Sequence, residues 1–579
     1  MTVPVQNIAP GALESAWREE LQRLADQQAI AKIWSKQASL WKSDAAHARV
    51  ILNRLGWIPV VEAMRPEVDV LHRFARSVRE AGMRHVVLLG MGGSSLAPEV
   101  FSLLFPPADL SFHVLDSTDP ASLLAVESAV DLKHTLFIVA SKSGRTIETL
   151  SQFHYFRTRL EAAGVASPGA HFTAITDASS YLERLAIEYK FRRAFLNPAD
   201  IGGRYSALSY FGLVPAAVCG VPVAVVLNSA VQMRDACAPQ APAKLNPALA
   251  LGALMGVAAQ QGADRLFLLA TPSLVPLANW IEQLVAESTG KEGTGVIPVA
   301  GEVPGAPEAF DRGVIVLLAL EGEERREQEA FAAVMSKRGA PVVRIVLTRR
   351  EELGAAFFHW ELATAVAGAV LGINPFDEPN VQEAKDITAR LLDTLEKTGK
   401  MAEGVRVAAS DGLEVFAPSA QAGRLPKEDP ARVLQVVLNE LAGEDDYVAL
   451  LAFLDRSPRN VERVEALRQL VRDSTRRATL AGFGPRYLHS IGQLYKGGPP
   501  SGVFLEITAA DAEDVPVPGA QYTFGQLKMA QALGDMEALA AHGKTVVRVH
   551  FTQGAEAGLH ELHTVLEKAL ASKGAARAD

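Results

Sequence analysis

The sequence predicts an α/β protein with two doubly wound parallel-sheet domains and a smaller C-terminal α/β domain. Three observations predict it. Short apolar runs that read as buried strands alternate with helix-like stretches along most of the chain. Several of these runs open into loops rich in Gly, Ser and Thr directly before a helix, as strands of a parallel sheet do. The 579 residues also supply enough chain for several domains, at about 150 residues each.

The elements follow in order. Residues 1–65 are expected to be helical, because WREELQRLADQQAIAKIWSKQASLW carries apolar residues at three- and four-residue spacing. Residues 66–235 are expected to form the first doubly wound domain. There HVVLLGMGGSSLAPEVFSLLF reads as a strand, a glycine turn and a helix. FHVLD then leads into TDPASLLAVES, HTLFIVA into SKSGRTIETLSQFHYF, and HFTAITD into ASSYLERLAIEY. Residues 236–400 repeat the layout with RLFLLA, GVIVLLAL and PVVRIVL as buried strands, as a distant duplication would. The long apolar helix FFHWELATAVAGAVLG and the segment NPFDEPNVQEAKDITARLL complete that domain. Composition turns polar at TGKMAEGVRVAASDG, which sets the boundary of the third domain, 401–579. Its strands are YVALLAF, ATLAGFG, GVFLEIT and TVVRVHF.

Composition excludes several classes. Hydrophobic residues at 49% and charged residues at 21% argue against disorder. Lys plus Arg number 57 against 66 Asp plus Glu, a net charge of −9, so no nucleic-acid partner is expected. Cys219 and Cys237 are too few for a disulfide scaffold or a four-cysteine zinc site. The start MTVPVQNIAPGALE does not read as a signal peptide. No uninterrupted apolar run reaches the roughly 18 residues of a membrane span. The expectation is a cytoplasmic protein without a membrane partner.

Four motifs carry chemistry. GMGGSS, with Gly93 and Ser94, puts glycines and serines between a strand and a helix, where free N–H groups and the helix dipole favour an anion. It also reads as a tight turn capped by Ser94 or Ser95. SKSGRTIET crowds Ser141, Lys142, Ser143, Thr146 and Thr149 at another strand–helix junction, more hydroxyls than a cap needs and suited to a phosphate monoester. It lacks the P-loop pattern, which favours a small phosphorylated metabolite over a nucleotide. GGRYSALS places Arg204 after Gly203. That arginine could neutralise an oxyanion or make a surface salt bridge. AESTGK ends an apolar helix with Glu287, which reads as a base of raised pKa or as a surface glutamate.

Taken together with NPFDEPNVQEAK, these motifs resemble the glucose-6-phosphate isomerase family of two sugar isomerase (SIS) domains, over roughly residues 66–400. GMGGSSLAP is similar to the family's G-I-G-G-S-x-L-G-P, departing at Met91 and Ala97. The third domain, with GPRYLHSIGQLYKGGP and FGQLKMAQALGDMEAL, resembles the isomerase half of bacterial transaldolase–isomerase fusion proteins. A (β/α)₈ barrel takes about 250 residues, more than the segment before the first SIS strand offers. The resemblance implies interconversion of glucose 6-phosphate and fructose 6-phosphate through an enediol(ate), without a cofactor or metal, by a homodimer. It implies that Ser141, Ser143 and Thr146 hold the phosphate, with Ser94 assisting. Glu287 would transfer the proton, Arg204 stabilise the enediolate, and Lys385 assist ring opening. Glu378 stands where the family has Gln, and a carboxylate cannot donate as an amide does.

The family's ring-opening histidine lies between the Glu and Lys motifs. Only His359 occupies that interval here, and its helical spacing marks it as a packing residue. His489, in a glycine-bordered loop of the third domain, is the candidate imidazole; it and Lys496 also read as loop residues of a structural domain. Two alternative functions remain: a non-catalytic SIS protein that senses a sugar phosphate, and an isomerase of another phosphosugar such as mannose 6-phosphate. The first would need the phosphate loop but not Glu287, Arg204 and Lys385 together.

Overall fold

The structure, a computed structural model, describes residues 3–427 and 429–571. The chain gathers into two units. The first holds Met1–Asp116, Val126–Pro304 and Asp311–Glu378; the second holds Ser117–Ala125, Gly305–Phe310 and Pro379–Asp579.

The first unit contains two five-stranded sheets. One runs Ser111–Leu115, His85–Gly90, Thr135–Ala140, Phe172–Asp177, Arg193–Asn197, and every pair in it is parallel. Its central strands are covered on both faces: Val86–Leu89 and Leu136–Val139 are fully buried. This is why both read as continuous apolar runs rather than as alternating ones. The strand order reverses beside His85–Gly90, which opens a crevice at the carboxyl ends of that strand and of Thr135–Ala140.

The other sheet of this unit runs Val5–Ala9, Val342–Leu347, Gly313–Leu320, Arg265–Ala270, Ile297–Val299. It is parallel except at Val5–Ala9, which pairs antiparallel from Val5↔Val346 to Ala9↔Val342. The segment 1–65, expected to be helical, thus begins with an edge strand. Five residues beside Pro4 and Pro10 are too short to show a period. Arg193–Asn197 and Ile297–Val299 were also not expected. The first is an edge strand exposing Arg193, Ala194 and Leu196, and the second spans only three residues.

Apolar helices pack in the core of this unit. Leu353–Leu371 is the longest of them, and Gly252 on Pro247–Gln260 lets it come close: a Cβ there would lie 2.4 Å from the Ala363 carbonyl. The stretch Arg350–Leu371 is long and apolar enough to cross a membrane by length and composition. Here 94% of its most apolar window is buried inside the protein. His359 lies in it, 1% exposed, and burial pushes its imidazole down to about 4. It is a neutral packing residue.

The second unit has one six-stranded sheet: Val405–Ser410, Leu413–Ala417, Thr545–Phe551, Val503–Ala509, Val448–Phe453, Thr479–Phe483. The four apolar strands expected from sequence are its parallel part, and a hairpin over 405–417 adds two antiparallel strands. The helix Val381–Thr398 belongs to this unit, although 400 was the expected boundary. Gly534 on the helix Phe524–Ala541 explains why, since its missing side chain leaves room for Thr388, whose Oγ1 would lie 2.9 Å from a Cβ. The segment Ser117–Ala125 also groups here. Thr118 donates to Gln531 at 2.7 Å, and Asp119 meets the buried Lys528 ammonium at 2.8 Å. An ammonium so buried needs such a partner.

Candidate active site

The GMGGSS and SKSGRT loops leave the carboxyl ends of adjacent strands, which register Gly90 beside Ala140. They therefore border the crevice of the first sheet. Gly93 can stand there only as glycine, because a Cβ would lie 2.2 Å from the Gly203 carbonyl oxygen. That contact joins the first loop to GGRYSALS. Ser206 reinforces the joint by reaching the Gly93 carbonyl at 3.4 Å, and it also donates within its own loop to the Gly203 carbonyl at 2.6 Å. Ser94 is half-buried at this junction, and Ser95 bonds back to Gly92 as a turn residue does.

In the second loop Ser141 Oγ accepts from the Gly144 N–H at 3.1 Å and lies 2.9 Å from Thr146 Oγ1. Gly144 has φ +68°, and a Cβ there would collide with Leu182 N at 2.2 Å. Glycine thus sets the bend of the cup. Ser143 is exposed, accepts from the Arg145 N–H at 3.3 Å, and stands at the rim. Thr146 is the N-cap of Ile147–Ala162 and makes no side-chain cap bond. Thr149 is buried one turn in, and its hydroxyl has no hydrogen-bond partner. Lys142 points elsewhere: its ammonium is 2.5 Å from Asp177 Oδ2 and 2.9 Å from the Ala199 carbonyl. In this arrangement it braces the loop instead of facing the cup.

Arg204, 3% exposed, lies at the centre of the first unit's polar groups. Its Nε donates to Ser288 Oγ at 2.8 Å, and Nη2 donates to the carbonyls of Pro375 and Asp377, both at 2.9 Å. Nη1 donates to Glu378 Oε2 at 3.1 Å and stands 3.6 Å from Glu287 Oε1. Glu287 closes the helix Val275–Thr289, and its other oxygen accepts from Gln283 at 3.1 Å. Its side chain keeps 12% of its surface, against 42% for Glu378. Burial pushes the Glu287 carboxyl above its ordinary range; Arg204 opposes that shift and Glu378 adds to it. A carboxyl so placed takes up a proton more readily than an exposed one, as a general base requires.

Several members of this group were not singled out from sequence. Lys291 Nζ donates to the Asp377 carbonyl at 2.6 Å and to Asp377 Oδ1 at 2.8 Å, and burial lowers this ammonium to about 8. Asn374 binds the other Asp377 oxygen at 2.9 Å, and His47 Nε2 lies 4.0 Å from it. Tyr205 OH is 3.3 Å from Ser288 Oγ. Lys291 and Asp377 sit inside the motifs AESTGK and NPFDEPNVQEAK, so the signal was present but attached to other residues.

Lys385 and His489 belong to the second unit. Lys385 is exposed on Val381–Thr398, and His489 is half-buried at the end of the turn Arg486–His489. The Asn380 backbone N–H donates to Gln493 Oε1 at 2.9 Å and Gln493 Nε2 donates to Asn380 Oδ1 at 2.8 Å, which ties the start of the Lys385 helix to the helix Gly492–Gly497 that follows His489. Among the described residues no group of three or more His, Cys, Asp or Glu is arranged to hold a metal ion.

Residues 72–298 match the family model described as phosphoglucose isomerase. The chain is 27% identical over 350 residues to a glucose-6-phosphate isomerase of Methanocaldococcus jannaschii, covering 54% of this chain and 85% of that one. It is 28% identical over 384 residues to the glucose-6-phosphate isomerase of Thermus thermophilus, covering 59% and 90%. Among solved structures, a hypothetical protein of Thermus thermophilus aligns with a TM-score of 0.56 at 24% identity, over 67% of this chain and 99% of that chain. A glucose-6-phosphate isomerase of Chlamydia trachomatis aligns with a TM-score of 0.51 at 19% identity, over 64% and 78%. At these identities the two structures establish the fold.

Proposed function

From the chain's membership of the phosphoglucose isomerase family, carried by residues 72–298, we infer that it interconverts glucose 6-phosphate and fructose 6-phosphate. One observation carries this reading: a buried arginine faces a glutamate of raised proton affinity at 3.6 Å. A protein that only senses a sugar phosphate needs no such pair.

The roles follow from the chemistry. Moving the carbonyl between C1 and C2 requires a base to take a proton from one carbon and return it to the other. In the proposal Glu287 does both. As the proton leaves, negative charge grows on the sugar oxygens, and the Arg204 guanidinium offsets it through Nη1, its other donors being held by Ser288, Pro375 and Asp377. Ser141, Ser143 and Thr146, with the N-terminus of Ile147–Ala162, receive the phosphate, far from the reacting carbons. Its binding energy then orients the sugar. Lys385 and His489 are proposed for ring opening. The proposal includes the homodimer that the resemblance implies and the cytoplasmic setting expected from the sequence. The test is a coupled assay on purified protein, with fructose 6-phosphate supplied and glucose 6-phosphate detected. Turnover of mannose 6-phosphate without turnover of fructose 6-phosphate would point to the other phosphosugar.

A further inference from the structure

Glu378, one of the positions at which this chain departs from the pattern it resembles, makes the shorter of the two carboxylate contacts with Arg204 Nη1. Nη1 has two hydrogens and two carboxylates beside it. Glu378 Oε2 takes a hydrogen bond at 3.1 Å, whereas Glu287 Oε1 stands at 3.6 Å, beyond hydrogen-bond distance. The remaining Arg204 bonds go to Ser288 and two carbonyls and hold the guanidinium plane in place. Only the Nη1 side is contested.

We propose that Glu378 is a positioning residue that draws Arg204 Nη1 away from Glu287 and thereby leaves the base without a hydrogen bond from the arginine before substrate arrives. An amide oxygen at 378 would also accept from the guanidinium, but a carboxylate adds the attraction of opposite charges. A carboxylate at 378 therefore holds Nη1 more firmly than an amide would. Glu287 is left with a neutral donor, Gln283, as its hydrogen-bond partner. Glu378 is also a second negative charge beside the base, and it acts on Glu287 in the same direction as burial does. The opposing charges are Arg204 itself and Lys291, the latter engaged with Asp377, which His47 faces at 4.0 Å. Glu378 is 42% exposed, so an incoming sugar can reach its carboxylate.

The inference rests on the isomerase reading, and its test separates the two. The Glu378→Gln and Glu378→Asp variants are compared with the unmodified protein by the pH dependence of kcat/KM. The expected result for Glu378→Gln is an acid limb moved to lower pH and a kcat reduced on the order of tenfold, since a weaker base accepts the proton less readily. Glu378→Asp, which restores the charge with a shorter reach, should recover part of both. An acid limb that stays in place in Glu378→Gln, whatever happens to kcat, would overturn the proposal. The carboxyl titration of Glu287 is read in parallel by carbon-13 NMR, assigned with Glu287→Gln. If the unmodified protein shows no isomerase activity, the functional reading fails. The proposal then stands if Glu378→Gln lowers the Glu287 titration and falls if that titration is unchanged.

Discussion

Arg204 and Lys291 converge on one acceptor, the carbonyl oxygen of Asp377, from which Arg204 Nη2 and Lys291 Nζ lie 2.9 and 2.6 Å away. Two buried cations tolerate this proximity because the Asp377 carboxylate and Glu378 lie beside them. The loop Asn374–Glu378 is therefore held by charge, and the position of the arginine against Glu287 depends on that grip.

Lys291 gives the grip a pH dependence. Burial lowers this ammonium to about 8, so its charge is present below that pH and is lost as pH rises through it. The isomerase activity should decline on the alkaline side near 8. Lys291→Met should lower kcat and abolish that limb, while Lys291→Arg should push it to higher pH. A pH profile of kcat for the three proteins is the check.

Removing the base should be more costly. A positioned general base contributes on the order of 10²–10⁴-fold, so Glu287→Gln should lose about that much kcat with KM little changed. Exchange of the sugar C2 hydrogen with solvent isolates the step, and near-normal exchange in this variant would refute the assignment. Arg204→Ala should lower kcat by on the order of 10²–10³-fold.

The cup at residues 141–146 should respond to charge. Ser143 is exposed, and Thr146 makes no cap bond to the helix, its hydroxyl pairing with Ser141 instead, so Ser143→Asp and Thr146→Asp should fold and repel a phosphate. KM should rise for both while the thermal midpoint stays close to that of the unmodified protein. Unchanged KM in both would remove the cup from phosphate binding.

His489 is tested by the form of the substrate. If its imidazole opens the ring by proton transfer, His489→Ala should slow cyclic substrate far more than the open-chain fraction. Equal losses on both would assign His489 to structure alone.

The strands His85–Gly90 and Thr135–Ala140 were readable because they are apolar on both faces, whereas their order in the sheet came only from the fold. Their following glycines and hydroxyls mark where the chain turns at the crevice. Arg204 and Glu287 were readable for a related reason: each stands in a short motif whose neighbours are small or polar at the end of an element. What could not be read was the pairing. Lys291 and Asp377 lie 86 residues apart, and no local period links them. Nor does the sequence say that Lys142, among four hydroxyl residues, turns to Asp177. Its long side chain reaches a carboxylate at the end of the next strand, and only the fold places that strand alongside. Val5–Ala9 went unread because an edge strand needs a neighbour to define it, and that neighbour, Val342–Leu347, comes more than 300 residues later.

The amide pair between Asn380 and Gln493 means that Lys385 and His489 are not independent parts. Asn380 begins the helix that carries the lysine, and Gln493 follows the histidine by one turn of chain. The two bonds fix the segments that carry the lysine and the histidine to each other. Evolution could retune the pair with one substitution at a position that touches neither, and Gln493→Ala is the variant in which both should change in concert.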